Sequence, residues 1–320
     1  MMFNINDKRF PRQENMEANF EFKPLLKSLE TQVRSAPTMD ELRGYLPDLV
    51  MHTWEKHPYE MLDAMSKEDK DRLIYRVFRG KMLPTALNSI NIVMTINNIS
   101  GHAVTHLTRH RQLNLSADCT GDKDMNERTV LIPDAFYHDE TTLENYKHIA
   151  TQQMEEYVRI RNTWDFAHVD ARMLLPRSIA TFYTAAGFLP AYMGLIRDRK
   201  DTQVQPYEDN VLAYRVAQSL WRWNPLLATT IKLDNGSPFF QMESRTNFAS
   251  QFYMPEPVNN PDNLLSEDPE DYLFQKRRDE LKGDSEWQAI KAEVLADQEV
   301  HDELAHEMYP HVFESINDWR

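Results

Sequence analysis

Ile90, Ile92, Met94 and Ile96 fall on one face at period two, a spacing that a strand with one buried face satisfies and a helix does not. The run reaches Ile99, and Ser100-Gly-His-Ala-Val-Thr-His-Leu follows as a short helical segment that ends in Arg109-His110-Arg111. A strand therefore feeds a short helix that delivers three adjacent cation-capable side chains. Such groups repel one another, so a fold that keeps them together ordinarily has an anion to neutralise them, with phosphate or pyrophosphate the natural candidate. The plainer reading is a solvated basic helix end whose side chains meet C-terminal carbonyls.

Composition narrows the classes of partner. The 320 residues, 41% of them hydrophobic, suffice for one large domain or two modest ones. With 36 basic against 50 acidic residues the net charge is −14, which argues against nucleic acid or an anionic membrane as main partner. One cysteine, Cys119, excludes an intrachain disulfide and a multi-cysteine zinc site and points to a reducing compartment. No apolar run approaches membrane-spanning length and the first residues lack a signal-peptide core, so a cytoplasmic protein is expected.

Along the chain, residues 1–24 read as an extended arm. Thr38-Met39-Asp40-Glu41 matches a capping box, and Ser66-Lys67-Glu68-Asp69 opens a helix with Leu73, Ile74, Val77 and Phe78 on one face. The loop 115–126 carries Asp118, Asp122 and Asp124, whose spacing fits no calcium loop. Arg128 to Pro133 is a short β-prone run expected to pair with the first strand. Thr141-Thr142-Leu143-Glu144 is expected to cap a long helix through Tyr146, Met154, Tyr157 and Val158. From Arg172 to Pro225 the composition suggests buried helices broken at Pro190 and Pro206. Asp234-Asn235-Gly236 marks a turn, 255–269 a long loop, and Ser285-Glu286-Trp287-Gln288 opens a final helix with Ile290, Val294, Leu304 and Met308 on its apolar side.

The order of strand, serine, short apolar segment, Arg109-His110-Arg111 and polar loop resembles the signature of the flavin-dependent thymidylate synthases. Asp170-Ala171-Arg172-Met173-Leu174-Leu175-Pro176, with Thr181 beyond it, is similar to that family's Asp-Ala-Arg-x-x-Leu-Pro block. The family's arginine followed six residues later by glutamine is matched both by Arg197 with Gln203 and by Arg199 with Gln205. The resemblance covers about Pro84 to Pro225. It implies an α+β fold, a small antiparallel sheet flanked by helices with helical N- and C-terminal extensions, divided as 1–83, a core at 84–232, and 233–320. It also implies a homotetramer that binds FAD through Arg109, His110, Arg111 and one of the two Arg/Gln pairs. Methylenetetrahydrofolate and NADPH would be co-substrates, and a one-carbon unit would pass to C5 of a deoxypyrimidine nucleotide.

Departures from the family pattern bear on the substrate. The family serine position falls on Cys119, and the phosphate-binding arginine beyond it is replaced by Gly121 and Asp122. The base-reading glutamine becomes His106, the arginine after the leading serine becomes Gly101, and an acidic residue becomes Ala117. Either Arg128 replaces the phosphate contact or the ligand is not an ordinary nucleotide monophosphate. Candidate substrate-binding residues are His106, Ser116, Cys119, Arg128 and Arg172, and the catalytic candidates are Cys119 and Arg172. A thiolate at Cys119, favoured by Arg109 and Arg111, would add to a pyrimidine C6; the alternative is a small wall residue. The product is either the methylated or the hydroxymethylated nucleotide. Two other classes compete: a non-catalytic scaffold, and a di-iron carboxylate bundle built on Glu303-Leu304-Ala305-His306 with Asp165-Phe166-Ala167-His168.

Overall fold

The computed structural model describes residues 16–80, 83–118, 124–163, 168–200, 207–233 and 285–314. Cys119, Gly121, Asp122, Gln203, Gln205, Pro206, the Asp234-Asn235-Gly236 turn and the stretch 255–269 lie outside them. Strand β1 (Phe22–Pro24) and helix α1 (Leu25–Ser28) lead into β2 (Glu30–Ser35). The alternating run forms β3 (Asn91–Ser100), with Ile92, Met94 and Ile96 fully buried. Antiparallel pairing places β3 between β2 and β6 (Ala180–Phe188), and β4 (Asn114–Ala117) extends the sheet beyond β6. The expected α+β class, a small antiparallel sheet with helices against it, is what forms.

Near its end β3 carries a bulge. Asn98 sits at φ 57°, in the left-handed region that asparagine tolerates better than most residues, and its side chain donates to the Ser28 carbonyl at 2.9 Å. The inserted residue shifts the alternation by one, so Ile99 is buried where Asn98 would have been. Ser100 is thereby turned toward the start of the next helix.

Two elements differ from the sequence expectation. The region after Arg172 is not all helix: Ala180–Phe188 is a strand held between β3 and β4. Its Ala and Gly residues disfavour strand by propensity, but close packing requires them, since a Cβ on Gly187 would lie 2.8 Å from a Leu113 methyl carbon. Pro190 accordingly opens helix α8 (Leu189–Arg199) rather than breaking one. Strand β5 (Val130–Ile132) pairs in parallel with β1, not with β3, whose two edges are already taken by β2 and β6.

Helices α2 (Met39–Trp54) and α4 (Lys67–Phe78) start at the capping boxes of Thr38 and Ser66, with the short α3 (Pro58–Ala64) between them. Thr38→Ala removes the acceptor of the Glu41 N–H and one of the two donors to the Glu41 carboxylate, the Thr38 N–H remaining, and is expected to lower stability by about 1 kcal/mol in denaturant titrations. The short helix α5 (Gly101–Leu107) follows β3 directly. For α6 (Glu140–Thr163) the cap is Asp139, which accepts from the Thr141 and Thr142 N–H groups, so the helix starts earlier than the threonine pair suggests. After the one-turn α7 (His168–Ala171) and β6 comes α8, and then α9 (Tyr207–Trp223), which is buried on nearly every side against β2, α8 and α10 (Ser285–Met308). Trp287, Ile290 and Val294 of α10 join the same core as Ile92 and Trp221, while Met308 lies exposed at its end. Finally α11 (Pro310–Glu314) docks on α4, where His311 and Arg43 both bond the buried Asp71.

Candidate active site

The bulge in β3 presents Ser100 as the cap of α5: its hydroxyl accepts from the Ala103 N–H at 3.2 Å. Gly101 passes so close to Arg177 that a Cβ would meet that carbonyl oxygen at 3.0 Å, which accounts for a glycine here. At the far end of α5 the basic triplet divides. Arg109 and Arg111 are exposed and hold no ion pair among the described residues, whereas the side chain of His110 turns inward. There His110 Nε2 accepts from Arg199 Nε at 3.1 Å. Burial first, and then the neighbouring Arg199 charge, push His110 down to about 4, so it is neutral near pH 7. The expected three-cation cluster is thus two outward cations flanking an inward neutral imidazole.

Arg199, at the last turn of α8, is the link between segments. Besides His110 it donates to the His106 carbonyl at 3.2 Å, satisfying an end carbonyl of α5, and to Asp209 Oδ2 at 3.4 Å. Asp209 is almost fully buried in the first turn of α9 and also bonds His106 Nδ1 at 2.8 Å. Burial raises its carboxyl above the ordinary range, and His106 and Arg199 oppose that. Next to it Glu208 receives the Ser100 N–H at 2.7 Å and the Ser100 hydroxyl at 2.6 Å. Burial pushes Glu208 up to about 7 despite those bonds.

Of the residues singled out in the sequence, His106, His110 and Arg199 come together in this network. Arg197 instead bonds Asp198 at 2.8 Å. Arg128 bonds Asp118 at 2.5 Å and lies over the Phe182 ring, 4.6 Å from its centroid, so its charge already has a carboxylate partner. Ser116 is exposed on β4 opposite Thr184, and Arg172 is exposed in the turn after α7. Thr181 is buried and donates to the Ile99 carbonyl at 2.8 Å. Glu208 and Asp209 were not singled out by sequence; an acidic pair opening an apolar helix reads as ordinary dipole compensation.

On the helix of the di-iron alternative, His306 and its neighbours His301 and Asp302 have other partners. His301 bonds the Asp297 carbonyl, Asp302 pairs with Lys232, and His306 stacks on Phe313. No cluster of three or more His, Cys, Asp or Glu suited to a metal occurs among the described residues, and Asp165, Phe166, Ala167 and the His168 side chain lie outside them. No described helix is long and apolar enough to cross a membrane.

The family model described as "Thymidylate synthase complementing protein" (Thy1) matches residues 45–226. The UMP/dUMP methylase PolB from Streptomyces cacaoi, solved with 5-Br dUMP, is similar in fold at TM-score 0.52 and 14% identity, over 64% of this chain and 94% of that one. Thymidylate synthase X from Helicobacter pylori, solved with FAD and dUMP, aligns at TM-score 0.43 and 16% identity, over 62% of this chain and 98% of that one. No curated protein sequence matches the chain.

Proposed function

The chain belongs to the flavin-dependent thymidylate synthase (Thy1) family, and on that premise we propose that it transfers a one-carbon unit to C5 of a deoxypyrimidine nucleotide such as dUMP, using FAD, NADPH and methylenetetrahydrofolate. The observation that carries this reading is that the family match encloses both Arg109-His110-Arg111 and the Asp170 to Pro176 block. The two outward arginines fit the cofactor's chemistry, because they are exposed, hold no ion pair among the described residues and can meet an anionic pyrophosphate. FAD, when bound and reduced, supplies the redox chemistry of the transfer.

The chain's own residues bind and orient. Arg109 and Arg111 hold the anion, and His110, kept neutral and pinned by Arg199, adds no third charge to repel them. His106 takes the base-reading position and Arg172 the nucleotide side, so catalysis rests on placing the pyrimidine rather than on a strong protein acid. One of the pairs Arg197/Gln203 and Arg199/Gln205 completes the cofactor site, and a tetramer would complete each site from neighbouring subunits.

Incubation with FAD, NADPH, methylenetetrahydrofolate and either dUMP or dCMP, followed by mass analysis, is expected to show a methyl or hydroxymethyl gain on one nucleotide. No mass change on either removes the one-carbon assignment and favours a non-catalytic scaffold. In the same assay Cys119→Ser is expected to keep activity within roughly tenfold if Cys119 is a wall residue, and to lose orders of magnitude if it is a nucleophile.

A further inference from the structure

His106 bonds only one of its ring nitrogens within the described residues. Nδ1 lies 2.8 Å from the buried Asp209 carboxylate, while Nε2 has no partner there and the side chain is 21% exposed. Burial raises the Asp209 carboxyl, while His106 and Arg199, 3.4 Å from the same oxygen, hold it toward the ionised form; an ionised carboxylate can only accept, so when His106 is neutral its proton sits on Nδ1. Nε2 then carries the lone pair, on a ring that meets His102 edge-on with centroids 5.5 Å apart. Asp209 also holds Arg199, and Arg199 fixes His110 with its own Nε2 as acceptor. Both imidazoles at the end of α5 therefore take their orientation from one carboxylate on another helix.

We propose that Asp209 is a positioning residue for base recognition: by accepting Nδ1–H of His106 it holds Nε2 as an acceptor, so that the proposed nucleotide site reads a pyrimidine through an N–H of the base. An amide at this position can turn to offer either a donor or an acceptor; a neutral imidazole tied through Nδ1–H to a carboxylate offers an acceptor alone. The ligand class this selects is a uracil-type nucleotide whose N3–H is intact. This rests on the proposed nucleotide site, but the tautomer itself can be read without any ligand.

The test combines 15N-histidine NMR of the full-length protein with calorimetric titration of dUMP and N3-methyl-dUMP. Wild type is expected to show His106 protonated at Nδ1, to bind dUMP, and to bind N3-methyl-dUMP at least roughly tenfold more weakly. Asp209→Asn is expected to mix the tautomers and weaken dUMP binding about tenfold, yet to change binding less than about twofold when His106 is already Gln. An Nδ1–H signal that survives Asp209→Asn overturns the proposal, as does an equal loss in both backgrounds. Because Asp209→Asn can disturb folding, the N3-methyl comparison on wild type stands independently: equal affinity for the two nucleotides overturns base reading through N–H. If dUMP does not bind at all, the proposed function fails and base reading fails with it, while the NMR result still reports whether Asp209 sets the tautomer.

Discussion

Glu208→Gln is expected to remove a loss of stability toward alkaline pH, and His110→Asn a loss toward acid. Glu208 is raised from 4.5 to about 7, so its contribution is fully present below pH 4.5 and is lost as pH rises through 7, where the folded state must carry a buried carboxylate. His110 is lowered from 6.5 to about 4, so its contribution is present above pH 6.5 and is lost as pH falls through 4. Each effect is worth roughly 3 kcal/mol over its window. Between about pH 4.5 and 6.5 the two slopes oppose, and in wild type they largely cancel. Denaturant titrations at pH 4.5 and 8 should therefore show the stability difference between wild type and Glu208→Gln moving by about 3 kcal/mol, in favour of the variant at pH 8. His110→Asn should diverge in the opposite sense toward acid. Parallel pH curves for wild type and Glu208→Gln would mean that Glu208 titrates as it does in water.

Arg199→Leu is expected to cost about 3–5 kcal/mol at neutral pH, since it leaves the buried Asp209 carboxylate without its guanidinium. It also frees the His106 carbonyl and the inward His110. With the positive charge gone, burial raises Asp209 further, and protonation relieves the penalty, so the deficit should shrink toward acid pH. Combining Arg199→Leu with Asp209→Asn should recover part of the loss, because removing both charges costs less than stranding one. A neutral-pH loss below about 1 kcal/mol for the single variant would contradict Arg199 as the link between α5, α8 and α9.

What could be read from sequence was local. The alternation of Ile92, Met94 and Ile96 marks β3 because one face is buried and the other is not, and the boxes at Thr38 and Ser66 mark helix starts because cap and partner lie three residues apart. Strand β6 was not readable: its Ala and Gly residues carry weak strand preference and are set by the close approach of Leu113 and Gln112. Nor was the partner of β5, which depends on β2 and β6 having occupied both edges of β3. The same division holds at the site. Arg109-His110-Arg111 is visible as a run, but that His110 faces inward depends on Arg199, and the role of Asp209 depends on His106 more than a hundred residues earlier. Contacts at that separation leave no periodic trace in a single sequence.

Whether Arg109-His110-Arg111 forms a flavin site is decided by titrating the purified protein with FAD. Expected are a perturbed flavin absorbance spectrum, a thermal midpoint that rises with FAD concentration, and weaker binding when Arg109 and Arg111 are both replaced by Ala. A spectrum and a midpoint that do not respond to FAD would contradict a flavin site there.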